Sequence, residues 1–380
     1  MEVQPAPHRS LKARDRAFLS ERSHARRRQA ALDRQAGARR QVRQAALDHA
    51  AAGQAPPEPV QVHAPPPPPA ARGRQAVPHI VEHPEWMVSV PGDLHPSWSV
   101  APRPEGQRCL VRCRGGRSQA LAPDGRPLFG GQAFTCAAPG GSPATASVDQ
   151  LTILDCILQG ARLYIVDLLA WKGYDLVNAT RQFRHYWMVT KADEMHMSSA
   201  SSPAHAYAVC VLPSAPCTRQ AVWQAYHGAG LLQDAPVQDG LLFHHVDALY
   251  EPGYTPLTLV WKDARCSTHE VDSFDAGDVA HQQPHLVVLR CTADGRLQTA
   301  DGVDLGDGAA LERNRLHRFT IGGVDINAEA PTLLHCEYAG ACSPAKRLAH
   351  SWSKIVFQST VRNNQRLVTI ETIVAGLPDQ

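Results

Sequence analysis

Two apolar, β-branched runs are the most constraining feature of this 380-residue chain. One begins at Leu151 and stops at Gln159-Gly160; the other runs from Leu163 through Trp171. Each is about eight residues long, and a short turn containing Gly160 separates them. Runs of this kind, so spaced, predict an antiparallel hairpin. Asp155 and Asp167 interrupt the apolar runs. A carboxylate buried in a strand needs a partner, so each is either structural glue or site chemistry. After Gly173 the pattern changes. Val177, Arg181, Arg184 and Trp187 fall near helical spacing and predict a helix.

The chain is long enough for two or three domains. Its formal net charge is only +2, but the charge is uneven. Residues 1–50 hold 12 Lys+Arg against 5 Asp+Glu, a surplus of +7 that the remainder largely offsets. A basic arm on a mildly acidic body points to an acidic partner for the arm. Residues 8–50 lack proline and favour helix, yet carry too thin an apolar stripe to bury against a core. Two readings stand: a solvated or disordered arm, or an arm that folds on its partner. Residues 51–78, with five consecutive prolines from Pro65 to Pro69, read as a semi-rigid linker.

The 10 cysteines include no Cys-x-x-Cys pair, and none lies at zinc-finger spacing from a histidine. Neither a metal nor a cofactor is expected. The N-terminus lacks an apolar signal core. No run approaches the roughly 20 apolar residues of a membrane span. Free thiols in a reducing compartment follow.

The folded body is expected from about His79. Trp98 reads as core, as do Trp171, Trp187 and Trp223. Residues 129–148 are rich in small residues and predict a mobile loop. Thr218 predicts an N-cap for a helix running to Leu231. Asp239-Gly240 predicts a turn into a strand. Further on, Leu286–Arg290, Asp294-Gly295 and Arg296–Gln298 read as a hairpin. Leu333–Tyr338, Ile355–Phe357 and Leu367–Ile370 read as strands.

Several segments resemble the snurportin family of cap-binding import adaptors: Glu85–Pro91, Gly106-Gln107-Arg108, Thr152–Cys156, Tyr164–Gly173, Phe183–Trp187 and Tyr254–Lys262. More distantly, the hairpin is similar to the nucleotidyltransferase fold of capping enzymes and ATP-dependent ligases. The resemblance implies an α+β fold with nucleotidyltransferase-like antiparallel sheets and flanking helices. A basic helical arm over 1–50 and a linker over 51–78 precede a cap-binding domain over 79–265. A C-terminal β-rich, OB-like region over 266–380 follows it.

The same resemblance implies cap contacts from Trp86, Gln107, Arg108, Trp261 and Arg126. Gln107 stands where the family has Lys, so a donor remains but the charge is gone. One extra residue separates Thr255-Pro256-Leu257 from Trp261. In the arm, Arg9, Arg22, Arg26, Arg27, Arg28, Arg39 and Arg40 look like importin-β-binding residues. Implied partners are trimethylguanosine-capped small nuclear RNA and its ribonucleoprotein, importin β and a recycling exportin, in a protein shuttling between cytoplasm and nucleus. Only Met1–Ala6 precede the arm, where the family carries apolar exportin contacts.

The related enzymes attack a nucleotide α-phosphate with a lysine, whose amine must lose its proton. No lysine lies between Lys12 and Lys172. The nucleophile strand holds Arg112-Cys113-Arg114-Gly115 instead, and arginine stays charged. The chain is therefore expected to bind and not to catalyse. Rival readings are an active guanylyltransferase or RNA ligase, and an importin-β-binding protein with a protein cargo.

Overall fold

The structure, a computed structural model, describes residues 20–51, 79–146, 150–197, 205–227, 238–271, 285–343 and 348–379. Arg9 and the proline-rich linker lie outside the described residues. The chain divides into two compact units. Helix residues 31–51, residues 79–84, 93–270 and 374–379 form one. Helix residues 21–30, Glu85–Gly92 and residues 285–373 belong to the other.

The larger unit holds residues 31–51 of helix α1 (Glu21–Ala51), residues 82–84 of strand β1 (Glu82–Trp86), and strands β2 (Trp98–Pro104), β3 (Gln107–Arg114) and β4 (Arg117–Leu121). The expected hairpin is β5 (Thr152–Gln159) and β6 (Arg162–Trp171), antiparallel, with Gln159 opposite Arg162. After β7 (Tyr174–Asp175) comes α2 (Arg181–Glu194), whose first turn is capped by the Thr180 hydroxyl accepting from the Phe183 N–H. Strands β8 (Ala208–Val211) and β9 (Ala215–Pro216), helix α3 (Arg219–His227), and strands β10 (Gln238–His245) and β11 (Gly253–Trp261) complete it. Thr218 caps α3 as expected, through the Ala221 N–H.

One sheet has the order β4-β3-β5-β6-β7, with β8 parallel to β6; the other has the order β1-β11-β10-β2-β9. Alternation along β3 shows why the hairpin reads as unbroken apolar sequence. Cys109, Val111 and Cys113 pack with Leu154, Cys156, Ile165 and Met188 on one face. Leu110 packs with Val81, Ile153 and Leu169 on the other. Both faces are covered, so both phases of each strand must be apolar. Of the segment expected to be a mobile loop, residues 129–133 are exposed, but residues 134–142 are packed. Ser118 and Phe134 exchange backbone hydrogen bonds, and Cys136 and Ala138 are buried in the β3 core. Its small residues fit a crowded site, which explains a composition that looks like a flexible loop.

Helix α1 corrects the reading of its stripe as too thin to bury. His24, Arg28, Ala31 and Gln35, spaced by four, three and four residues, are all buried. In the larger unit, Ala31 and Leu32 pack on Ala248 and Leu257. The Gln35 amide accepts from the Leu249 N–H at 2.9 Å and donates to the Leu249 carbonyl at 3.3 Å. A polar side chain that satisfies a backbone pair is buried at little cost, and a search for apolar periodicity overlooks it.

The smaller unit holds the sheet β14-β13-β12-β15-β18, made of β12 (His285–Cys291), β13 (Arg296–Gln298), β14 (Asp304–Asp307), β15 (Arg315–Ile321) and β18 (Glu337–Ala341). A separate pair joins β16 (Gly323–Val324) and β17 (Leu333–Leu334). The hairpin turning at Asp294-Gly295 is present, with Arg290 opposite Gln298. Two expected strands are absent: Ile355–Phe357 lies in α4 (Trp352–Arg362), and residues 367–369 are irregular before Ile370 opens α5 (Ile370–Val374). The Ser351 hydroxyl accepts from the Lys354 N–H to start α4, and the helix is buried on almost every side. A three-residue apolar run carries no period that separates a buried helix from a strand. No described helix is long and apolar enough to cross a membrane.

Candidate functional site

Strand β3 begins after Gly106, whose φ is +153°. A Cβ there would lie 2.3 Å from the Leu158 carbonyl oxygen, so glycine lets β3 approach β5 closely. This close approach sets Gln107 at the surface and Arg108 over β5. Arg108 is half-buried, its side chain 17% exposed. Its Nε and Nη2 donate to the two Asp155 oxygens at 2.5 and 2.7 Å. The fork expected to meet a triphosphate bridge therefore holds Asp155. The Tyr250 hydroxyl donates to the same carboxylate at 2.7 Å and accepts from the Glu82 N–H at 3.1 Å. The Thr258 hydroxyl donates to the Glu82 carboxyl. Burial first, and then the Asp167 charge, push the Glu82 carboxyl up to about 7.

Asp155 lies directly opposite Asp167 in the hairpin. Like charges across a strand pair repel, so each needs its own counter-charge. Asp167 receives two N–H···O bonds from Arg184, both 2.8 Å, and Arg181 lies 3.1 Å away. Both carboxylates are structural ties.

Trp261 is fully buried at the end of β11. Its ring centre is 6.0 Å from that of Tyr226, so here it serves as core and presents no face to a base. Beside Tyr226 opens a cleft of about 300 Å³, lined also by His227, Gln238 and residues 264–268. None of the five expected cap contacts lines it. Asp239, expected as a turn residue, lies within β10, where it accepts from Lys262, Arg103 and the Ser267 hydroxyl. Next to it, Gly240 has φ +96°, and a Cβ there would lie 2.5 Å from the Trp261 carbonyl oxygen. Arg126 is exposed and paired with Asp124 at 2.5 Å.

Trp86 belongs to the smaller unit and is half-buried. Its ring leans on Phe357, 4.9 Å between centres and tilted by 55°. The arm residues divide by face. Arg22, Arg26, Arg39 and Arg40 are exposed. Arg28 is buried and paired with Glu21. Arg27 donates to both Glu85 oxygens, at 3.0 and 2.5 Å. These two arginines are folded down because Glu21 and Glu85 supply counter-charge, contrary to the expectation of a wholly partner-facing row. Trp171 is buried as expected, whereas Trp187 and Trp223 are only half-buried. The sequence reading missed Tyr250, Glu82, Phe357 and the cleft. Its one usable signal was the pair of buried carboxylates, which demanded partners without naming them.

Residues 81–263 match the family model described as Snurportin1, m3G cap-binding domain. Among solved structures, the chain is similar to a mycobacterial DNA ligase D complexed with ATP and MES. Identity is 14%, covering 73% of this chain and 98% of that chain, with a TM-score of 0.36. It is also similar to the ligase domain of LigD from M. tuberculosis, at 13% identity, 73% and 96% coverage and a TM-score of 0.32.

Proposed function

We propose that this chain, which carries a snurportin-type m3G cap-binding domain at residues 81–263, is a non-enzymatic nuclear import adaptor. It binds the 5′ trimethylguanosine cap of spliceosomal small nuclear RNA and couples the ribonucleoprotein to importin β. The family match is the observation that carries this reading. A trimethylated guanine is cationic, and an indole face attracts it by stacking and cation–π contact. Each stacked base contributes on the order of 1–3 kcal/mol.

Binding without catalysis is supported by the chemistry of β3, where Arg112 and Arg114 offer no amine that can lose its proton. Lys262 is held by Asp239, and Lys191 by Glu194. The exposed Arg22, Arg26, Arg39 and Arg40 give α1 a basic surface suited to the acidic inner face of importin β. Such an adaptor shuttles between cytoplasm and nucleus and needs an exportin to recycle.

The test is a bridging assay on a resin carrying trimethylguanosine-capped RNA. Importin β should be retained only when the chain is present. The double variant Arg39→Glu, Arg40→Glu should lower retention more than about tenfold, because like-charge contacts across an interface cost several kcal/mol. No retention with the wild-type chain, or retention without it, contradicts the adaptor reading.

A further inference from the structure

Two of the chain's 10 cysteines bring their sulfurs together. Cys113 lies near the end of β3 and Cys136 in the packed segment after β4, and their Sγ atoms are 3.7 Å apart, not bonded. Both are fully buried in the core of the larger unit. Backbone pairing sets this meeting. Ser118 lies directly opposite Cys113 in the β3–β4 pairing, and exchanges backbone hydrogen bonds with Phe134 on its other side. The Cys136 N–H donates to the Gly141 carbonyl at 3.1 Å. A Cβ at Gly141 would lie 2.9 Å from both Cys136 Sγ and Ser118 Oγ, so only glycine closes the segment over the pair.

A thiol buried among apolar groups resists ionisation. Burial pushes Cys109 up to about 12 in this way. Cys136 is shifted in the opposite direction. The Cys113 thiol donates to it, and the Ser118 hydroxyl, 3.2 Å away, and the Ala138 backbone add to the effect and outweigh burial. The same shared bond pushes Cys113 up, so one sulfur of the pair is favoured as thiolate while the other keeps its proton. That is the division of labour a disulfide-forming pair needs: one sulfur to attack an oxidant, a second to resolve the product. Cys109 and Cys156 are a rival pair, directly opposite each other in the β3–β5 pairing, but burial pushes both of those thiols up.

We propose that Cys113 and Cys136 form an oxidative modification site, at which a small peroxide converts the thiol pair into an intramolecular disulfide. The Cys136 thiolate attacks one peroxide oxygen; the O–O bond breaks, and hydroxide leaves with the proton that Cys136 gave up, as water. The Cys113 sulfur then attacks the sulfur of the Cys136 sulfenic acid. The S–S bond forms, the S–O bond breaks, and the departing hydroxide takes the Cys113 proton. The two thiols lose two electrons, the peroxide gains two, and two waters form. Full burial of both sulfurs restricts the oxidant to a molecule of peroxide size. The product ties β3 to the segment after β4 across 23 residues.

The test exposes the folded 380-residue chain to hydrogen peroxide at neutral pH, then denatures it in an alkylating reagent and maps its peptides by mass spectrometry without reduction. Cys336 is exposed, and its oxidation reports that the treatment was effective. The main linked peptide should join Cys113 to Cys136 and should be released by dithiothreitol. Cys113→Ser keeps a hydroxyl donor but cannot form the second bond, so Cys136 should stop at the sulfenic acid and take a dimedone label. Cys136→Ser should leave Cys113 unlinked and unlabelled. Linkage of Cys109 to Cys156 in place of this pair overturns the proposal, as does a wild-type map in which Cys113 and Cys136 are still alkylated after Cys336 has been oxidised. A label on Cys113 in Cys136→Ser, with none on Cys136 in Cys113→Ser, overturns the assignment of Cys136 as the attacking sulfur. The wild-type map needs no substitution, so it decides the matter even if a variant does not fold.

Discussion

Replacing Arg184 with alanine is expected to cost about 3–5 kcal/mol, the penalty for stranding a buried charge. For a unit of this size the melting temperature should fall on the order of 10 °C. Asp167 is buried in the middle of β6, directly opposite Asp155. Arg184 gives it two hydrogen bonds and also donates to the Ala179 and Ala248 carbonyls, at 2.5 and 3.1 Å. One side chain therefore ties α2 to β6 and to the turn after β10. Burial opposes ionisation of Asp167, but the Arg184 and Arg181 guanidiniums outweigh it and hold the carboxyl well below the usual carboxylate range.

The sign of the pH dependence follows from this depressed folded-state value. The stabilisation is present above the unfolded-state pKa and is lost as pH falls through the folded-state pKa. The gap between wild type and Arg184→Ala should therefore be largest near pH 7 and narrow towards pH 3. Thermal melts of both proteins at the two pH values check this. A loss below about 1 kcal/mol at pH 7 would mean that the Arg184–Asp167 pair is not a structural tie.

Trp261→Ala should be nearly as damaging, at about 3–5 kcal/mol for a large aromatic removed from a packed core. The residue has no exposed surface, lies opposite Leu241 in the β10–β11 pairing and meets the Tyr226 ring. Its loss leaves a cavity between that sheet and α3. Trp261→Phe keeps an aromatic ring and should cost less than half as much. Denaturant melts of the two variants distinguish the roles. If alanine leaves stability within about 0.5 kcal/mol of wild type, the ring is not core. This matters for any binding experiment, because cap affinity lost in Trp261→Ala would report a damaged sheet as readily as a missing contact.

The parts of this fold legible in the sequence are those set by neighbours along the chain. The β5–β6 hairpin follows from two apolar runs and a glycine turn. Thr180 and Thr218 close the first turns of α2 and α3 with bonds to N–H groups three residues on. What could not be read was set by partners far away. Asp155 finds Arg108 at 47 residues' separation and Tyr250 at 95, and no local pattern announces either. The same holds for Gln35, which meets Leu249 across 214 residues. In α4, burial on almost every side erased the polar phase that would have shown a helical period. The candidate site divides in the same way. Sequence placed a tryptophan at position 86 and an arginine at position 108. It could not show that Arg108 is engaged by Asp155, that Trp261 is inside, or that Phe357 stands beside Trp86.

The central claim is that this chain receives a trimethylguanosine cap. Calorimetric titration of the 380-residue chain with the trimethylguanosine cap dinucleotide, alongside the monomethyl cap, tests it most directly. Saturable binding of the trimethyl cap, with the monomethyl cap at least about tenfold weaker, a difference of about 1.4 kcal/mol, is the predicted result. Absence of heat from both caps, at concentrations where the folded protein is intact, would contradict it.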